Sequence, residues 1–268
     1  MAYLDLEAYF ERVDWRGGVQ PTLDTLAGLL AAHMTHVPFE NLDVLLGRRP
    51  RLDLEGLQAK IVRARRGGYC FEQATLFAAV LERLGFALTR HTARVVLRMP
   101  RTSSPRAHMI VNVHLPEGAF VVDPGFGGLS PRMPVPLVTG HHVRFGDEAH
   151  GFAREDRYWM LRAHSGGDVI DCWVTTLDDD NAIDFEVGNH YTSSHPASLF
   201  VNQMMLCAHT VDGRVTVMNR MLTIRDARGE HATEIADRAT LRAILQEHFG
   251  FDLSDIEELR VPAIPEWS

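Results

Sequence analysis

The sequence predicts an α+β protein with a helical N-terminal lobe, a β lobe and a mixed C-terminal lobe. Two observations carry this: apolar residues recur at the helical period as far as Gly85, and the period then drops to two. A chain of 268 residues, 46% apolar and 23% charged, is long enough and apolar enough to bury a core of one large or two to three small domains.

The elements follow in order. Leu4, Leu6, Tyr9, Phe10 and Val13 fall on one side of a first helix. Leu23, Leu26, Ala27 and Leu30 form the stripe of a second, which ends before Pro38 because a proline ring disfavours helix in the residue before it. Asp53 is a plausible N-cap for a third helix with stripe Leu54, Leu57, Ile61 and Ala64, closed by Arg65, Arg66, Gly67 and Gly68. A fourth runs from about Cys70 to Leu84. Beyond Gly85, segments 88–99, 107–115 and 119–123 are rich in Val, Ile and Thr, and 143–145, 158–163 and 169–174 continue the pattern. Short strands at this spacing suggest a barrel or a sandwich. From about Ser194 an apolar segment (198–208), two strands within 214–225 and a helix over 239–250 make up the mixed lobe.

A net charge of −8 argues against nucleic acid or an anionic membrane surface as partner. No apolar run approaches the roughly 20 residues of a membrane span. The start, Met1 to Glu7, has neither a basic nor an apolar segment of a secretory signal. Three cysteines, odd in number and far apart, suit a reducing cytoplasm.

The most informative stretch is Arg65-Arg66-Gly67-Gly68-Tyr69-Cys70-Phe71-Glu72-Gln73. It ends one helix, turns on two glycines and starts another with a cysteine in its first turn. Free amides there favour a thiolate, which is the nucleophilic form, and can hold an oxyanion on an attacked carbonyl. The competing reading makes Cys70 the first knob of a buried stripe with Ala74, Phe77, Leu81 and Leu84. A cysteine nucleophile needs a base and a group to orient it. His108 opens one strand, and a turn at Pro116-Glu117-Gly118 returns the chain to Asp123. A strict hairpin register sets Asn112, not His108, opposite Asp123, so pairing of the two calls for a bulge or another register.

The run Asp123-Pro124-Gly125-Phe126-Gly127-Gly128 is no dinucleotide loop, because Pro131 and Pro134 stand where its helix would begin. It allows a close backbone approach or a turn. His33, His36, His141 and His142 lack partners at metal-site spacing, so no metal is expected. Cys172 and Cys207 read as packing residues, and Arg48, Arg49 and Arg51 as a solvated loop.

Pro38-Phe39-Glu40-Asn41-Leu42-Asp43, the Arg66 to Glu72 string, His108, the 123–128 loop, Asp184-Phe185-Glu186 and the run Asn189 to Pro196 together resemble the arylamine N-acetyltransferase family, over nearly the whole chain. The likeness extends to bacterial members, the N-hydroxyarylamine O-acetyltransferases included, which share the Arg65 to Gln73 stretch. The resemblance implies a helical bundle over 1–86 carrying the nucleophile, a β-barrel over 87–193 carrying its base and acid, and an α/β lid over 194–268, around a cysteine-protease-like core. It implies a triad of Cys70, His108 and Asp123, acetyl-CoA as co-substrate with no permanently bound cofactor, and aromatic amines, hydrazines or N-hydroxyarylamines as acceptors. Phe39, Phe126 and Phe200 match positions that line the family's acceptor pocket, and Tyr69, Gly127 and Gly128 join the expected substrate-binding set. Pro124 and Ala74 depart from the residues expected beside the triad, and Pro124 removes one backbone donor. The rival readings are a thiol acyl hydrolase, a macrolactam-forming amide synthase, and a binding protein in which Cys70 is merely packed.

Overall fold

The computed structural model describes residues 4–268; Met1, Ala2 and Tyr3, on which the leader reading partly rests, lie outside the described residues. The helical segment contains α1 (Leu6–Arg12) and α2 (Leu23–His36), then a two-residue strand β1 (Phe39–Glu40) and the short α3 (Leu42–Leu45). Asp5 and Thr22 cap α1 and α2 by accepting from the amides of Ala8 and Thr25. Asp53 caps α4 (Leu54–Leu57) as expected, but the helix then widens into a π-helical turn over Gln58–Arg63. The central helix α5 (Cys70–Arg83) follows.

Residues of α1, α2, α4 and α5 pack into one core with Met109, Val111 and Val113. At its middle lies a polar group: Tyr9 Oη is 2.9 Å from His33 Nδ1, and His33 Nε2 is 3.2 Å from Gln73 Oε1. Gln73 Nε2 donates to the carbonyl of Gly68 at 2.8 Å, so its Oε1 faces the histidine. The ring is therefore neutral, with the proton on Nε2 and Tyr9 donating to Nδ1. Burial pushes the His33 pKa down to about 3.

The β lobe holds β2 (Ala87–Val95), β3 (His108–Leu115), β4 (Gly118–Val122), β5 (Val135–Pro136), β6 (His142–Phe145), β7 (Glu148–Glu155), β8 (Tyr158–Ser165) and β9 (Asp168–Thr175). They form one antiparallel sheet in the order β5-β4-β3-β2-β9-β8-β7-β6, nearly closed into a barrel around Ile110, Val121, Phe152, Leu161 and Trp173. Three features differ from the sequence reading. The first strand stops at Val95, short of Met99. The strand β7 was not expected, since Glu-Ala-His-Gly-Phe-Ala-Arg-Glu has no β-branched residue. The hairpin register pairs Val111 with Val122 and Asn112 with Val121, so Asn112 is not opposite Asp123.

After α6 (Ala182–Ser194) and α7 (Leu199–Asn202) come β10 (Met205–His209), β11 (Arg214–Met218), β12 (Met221–Asp226), β13 (Gly229–Glu234) and α8 (Arg238–Ile244). A second sheet runs β1-β10-β11-β12-β13. Its edge strand comes from the helical segment: Phe39 pairs with Cys207 and Glu40 with Leu206. On its other side Phe39 bridges to Gly68, so the C-terminal sheet is stitched to the turn that starts α5. Gly67 permits this, because a Cβ there would lie 1.9 Å from the Pro38 carbonyl oxygen.

Candidate active site

Cys70 is the first residue of α5 and is almost fully buried. The first-turn amides of a helix have no partner inside it, so they are free to receive negative charge at this end of α5. The turn is held on both sides. Glu72 Oε2 accepts from the Tyr69 amide at 3.1 Å, and Gln73 ties the Gly68 carbonyl.

His108 and Asp123 are both buried, and His108 Nε2 is 2.8 Å from Asp123 Oδ2. No bulge brings them together. Extending the observed register sets Asp123 beside Ile110, which makes His108, two residues along on the same face, its diagonal neighbour. The strand pairing thus differs from the strict hairpin considered above by two residues. With Nε2 committed to the carboxylate, Nδ1 is the ring nitrogen left to take the Cys70 proton. The thiol itself sits 3.9 Å from the Ala107 carbonyl oxygen, one residue before the histidine. Burial alone would lower the His108 pKa, but the Asp123 carboxylate, its hydrogen bond and the Cys70 thiol outweigh that and raise it to about 10.

Asp123 Oδ2 also accepts from Trp173 Nε1 at 2.8 Å, from β9 across the barrel interior. Sequence reasoning missed this donor. The Trp173 ring is fully buried, as is Asp123, and its centroid lies 6.1 Å from that of His108.

The glycine-rich loop after Asp123 passes directly over Cys70. A Cβ on Gly125 would stand 2.5 Å from Cys70 Cα, so only glycine allows that approach. Gly127, at φ +79°, then turns the chain, and its carbonyl lies 3.2 Å from His209 Nε2. Phe126 lies over the His108 ring with centroids 5.1 Å apart.

These groups open on a largely apolar cavity of roughly 440 Å³, lined by Cys70, His108, Phe39, Phe126, Gly127, Gly128 and Phe200, and further by Leu97, Met205 and Met218. Tyr69 does not reach its wall. Its buried ring packs edge-on against Phe71 and Phe200, and its hydroxyl donates to Asn189 Oδ1. Tyr69 therefore supports Phe200 from behind. Burial raises Cys172 and Cys207 to about 12, which keeps both protonated, although Cys207 also faces the cavity. Arg48, Arg49 and Arg51 engage Asp255, Glu186 and Asp53 at the surface.

One further group was not visible in the sequence. Beneath the Gly67–Gly68 turn, Glu40, Asp43 and Glu72 meet Lys60 and Arg66. No spacing rule connects residues drawn from β1, α3, the π-helical turn and α5.

A family model for N-acetyltransferases matches residues 22–258. The arylamine N-acetyltransferase of Mycobacterium tuberculosis H37Rv is 38% identical over 272 residues, covering 95% of this chain and 92% of its own length. A Salmonella typhimurium protein described as arylamine N-acetyltransferase / N-hydroxyarylamine O-acetyltransferase is 32% identical, covering 94% of this chain and 90% of its own. The solved structure of the Mycobacterium marinum arylamine N-acetyltransferase in complex with CoA superimposes with a TM-score of 0.89 at 32% identity, covering 94% of each chain.

Proposed function

The chain belongs to the arylamine N-acetyltransferase family, and from that premise we propose that it moves an acetyl group from acetyl-CoA to arylamines through an acetyl-Cys70 intermediate. The observation that supports this most directly is the arrangement at the cavity floor. Cys70 stands at the start of α5, under a loop that Gly125 lets approach it, with His108 fixed by Asp123 at 2.8 Å.

In the first half-reaction the Cys70 thiolate, paired with protonated His108, attacks the thioester carbonyl carbon. The oxyanion faces the open amides of α5. The C–S bond to CoA breaks, and His108 gives its proton to the departing CoA sulfur. One thioester replaces another, so this step is nearly balanced. In the second half the amine nitrogen attacks the acetyl-cysteine, His108 takes the amine proton, and the Cys70 thiolate leaves. Amide formation makes this step downhill. Asp123 keeps the imidazole oriented and stabilises its cation throughout. Phe39, Phe126 and Phe200 offer apolar walls to an aryl ring.

The same cavity would serve arylhydrazines and the oxygen of N-hydroxyarylamines; the Salmonella relative's name includes the latter activity. The three free thiols suit a cytoplasmic enzyme, and no helix of the described residues is long and apolar enough to cross a membrane.

Mass spectrometry of the protein incubated with acetyl-CoA alone tests the intermediate. One acetyl group on Cys70 is expected on wild type and none on Cys70→Ala; an unmodified Cys70 refutes the two-step route. An acceptor panel following free CoA should show turnover with aromatic amines well above that with water, and an equal rate for water would make the protein a hydrolase.

A further inference from the structure

The buried charge cluster beneath the nucleophile has an odd count. Three carboxylates, Glu40, Asp43 and Glu72, face two cations, Lys60 and Arg66. Arg66 binds Glu40 Oε1 and Asp43 Oδ1, each at 2.8 Å, and the second Glu40 oxygen accepts from the Leu42 amide at 2.7 Å. Glu40 is thus satisfied mainly by Arg66 and the backbone, and Asp43 by Arg66 and Lys60 together. Lys60 Nζ contacts Asp43 at 2.8 Å, Glu40 at 3.4 Å and Glu72 Oε1 at 2.8 Å. Among the described residues Glu72 is the carboxylate of the three that meets Lys60 and no other cation, and its other oxygen caps the Tyr69 amide at 3.1 Å.

Resting on the reading of Cys70 as nucleophile, we infer that Glu72 is a pH-responsive positioning residue, whose ionised carboxylate holds the Tyr69–Cys70 turn and whose protonation releases it. The Lys60 ammonium is bound to Oε1, so a proton arriving on Glu72 goes to Oε2. Oε2 then becomes a donor facing the Tyr69 N–H, which is also a donor, and the cap is lost. Tyr69 directly precedes Cys70, so the released turn moves the thiol and the amides that face the oxyanion.

Glu72 is 2% exposed. Burial raises its pKa, the Lys60 charge and hydrogen bond lower it, and Glu40 and Asp43 raise it again, with a balance at about 7. Neutral Glu72 is therefore reached just below neutral pH. A carboxylate whose partners lowered its folded pKa would show the opposite coupling to folding. A raised folded pKa means that Glu72 favours the folded state most when protonated, below its unfolded pKa, and this contribution is lost as pH rises towards 7. Acidification through this window would thus impair Cys70 while Glu72 destabilises the fold less.

The test measures alkylation of Cys70 by iodoacetamide, located by mass spectrometry, from about pH 5.5 to about pH 8.5 on wild type and Glu72→Gln, with thermal unfolding in parallel. Wild type should lose reactivity below about pH 7 without unfolding. A Gln side chain has one acceptor oxygen for two donors, so it mimics neutral Glu72. Glu72→Gln should react about tenfold more slowly at pH 8, with no acid limb, as for one lost charge-assisted hydrogen bond. A Glu72→Gln protein that keeps the wild-type acid limb overturns the proposal. If that variant does not fold, a wild-type profile flat across pH 7 overturns it equally. Acetyl-CoA arms on the same samples keep the two readings apart: no acetylation of Cys70 at any pH would end the catalytic assignment, whereas acetylation without an acid limb ends only the role of Glu72.

Discussion

At the scale of single residues, the proposed triad depends on how one carboxylate is fed. Asp123 Oδ2 accepts from His108 Nε2 and Trp173 Nε1, both at 2.8 Å and both buried. Asp123→Asn would offer an amide that supports the wrong imidazole tautomer. A fall in kcat on the order of 10⁴-fold is expected, by analogy with serine triads, with the fold retained. Trp173→Phe keeps an aromatic side chain, though a smaller one, and leaves Oδ2 one donor short. Circular dichroism melting should show a loss of roughly 1.5–3 kcal/mol, with kcat/KM reduced about tenfold; unchanged kcat/KM would reduce Trp173 to a packing residue. Cys70, His108 and Asp123 were legible because a double-glycine turn, a strand start and a strand end are local signals. Trp173 was not, because its partner depends on a strand 50 positions away whose pairing with β8 contains a register shift at Leu161/Arg162.

At the scale of elements, the site is the meeting of a helix start with a loop that crosses it. Gly125→Ala is the sharpest probe of that crossing. Its Cβ would stand 2.5 Å from Cys70 Cα, against backbone that cannot rotate away. The loop must lift, and with it the Phe126 ring that covers His108. A cost of roughly 1–3 kcal/mol in stability is expected, with acetyl transfer largely lost; full activity would mean the loop is free to move. The helices α2 and α5 and the strands β3 and β4 were readable because an apolar stripe fills each helix and a run of Val, Ile and other apolar residues each strand. Elements imposed by their neighbours were not. The two-residue β1 exists because β10 pairs with it, and β13 is wholly exposed and pairs only with β12. Helix α6 went unseen because it leaves Ile183 and Val187 in solvent, which breaks the apolar period.

At the scale of the whole molecule, buried titrating groups set opposed slopes of stability with pH. His33 and His209 are held neutral by burial, each with a pKa lowered to about 3. Their unfolded value is about 6.5, so between about pH 3 and about pH 6.5 the unfolded chain binds more protons than the native one. Stability from these two is complete above about pH 6.5 and lost as pH falls. Glu72 opposes them between its unfolded value, about 4.5, and its folded value of about 7, so His33 and His209, with His150 also lowered by burial, pull one way and Glu72 the other. Above about pH 6.5 the sign reverses. His108, raised to about 10, then holds a proton that the unfolded chain releases, and its contribution drains away up to about pH 10. Cys172 and Cys207, raised to about 12, extend the fall at higher pH. The melting temperature should therefore peak near about pH 6.5. His108→Gln should flatten the alkaline side, and His33→Gln the acid side by about 1 kcal/mol per pH unit. A monotonic profile through pH 6.5 would contradict the assignment. The peak lies just below the pH at which Glu72 is ionised, so alkylation of Cys70 should be fastest on the flank where stability is already falling.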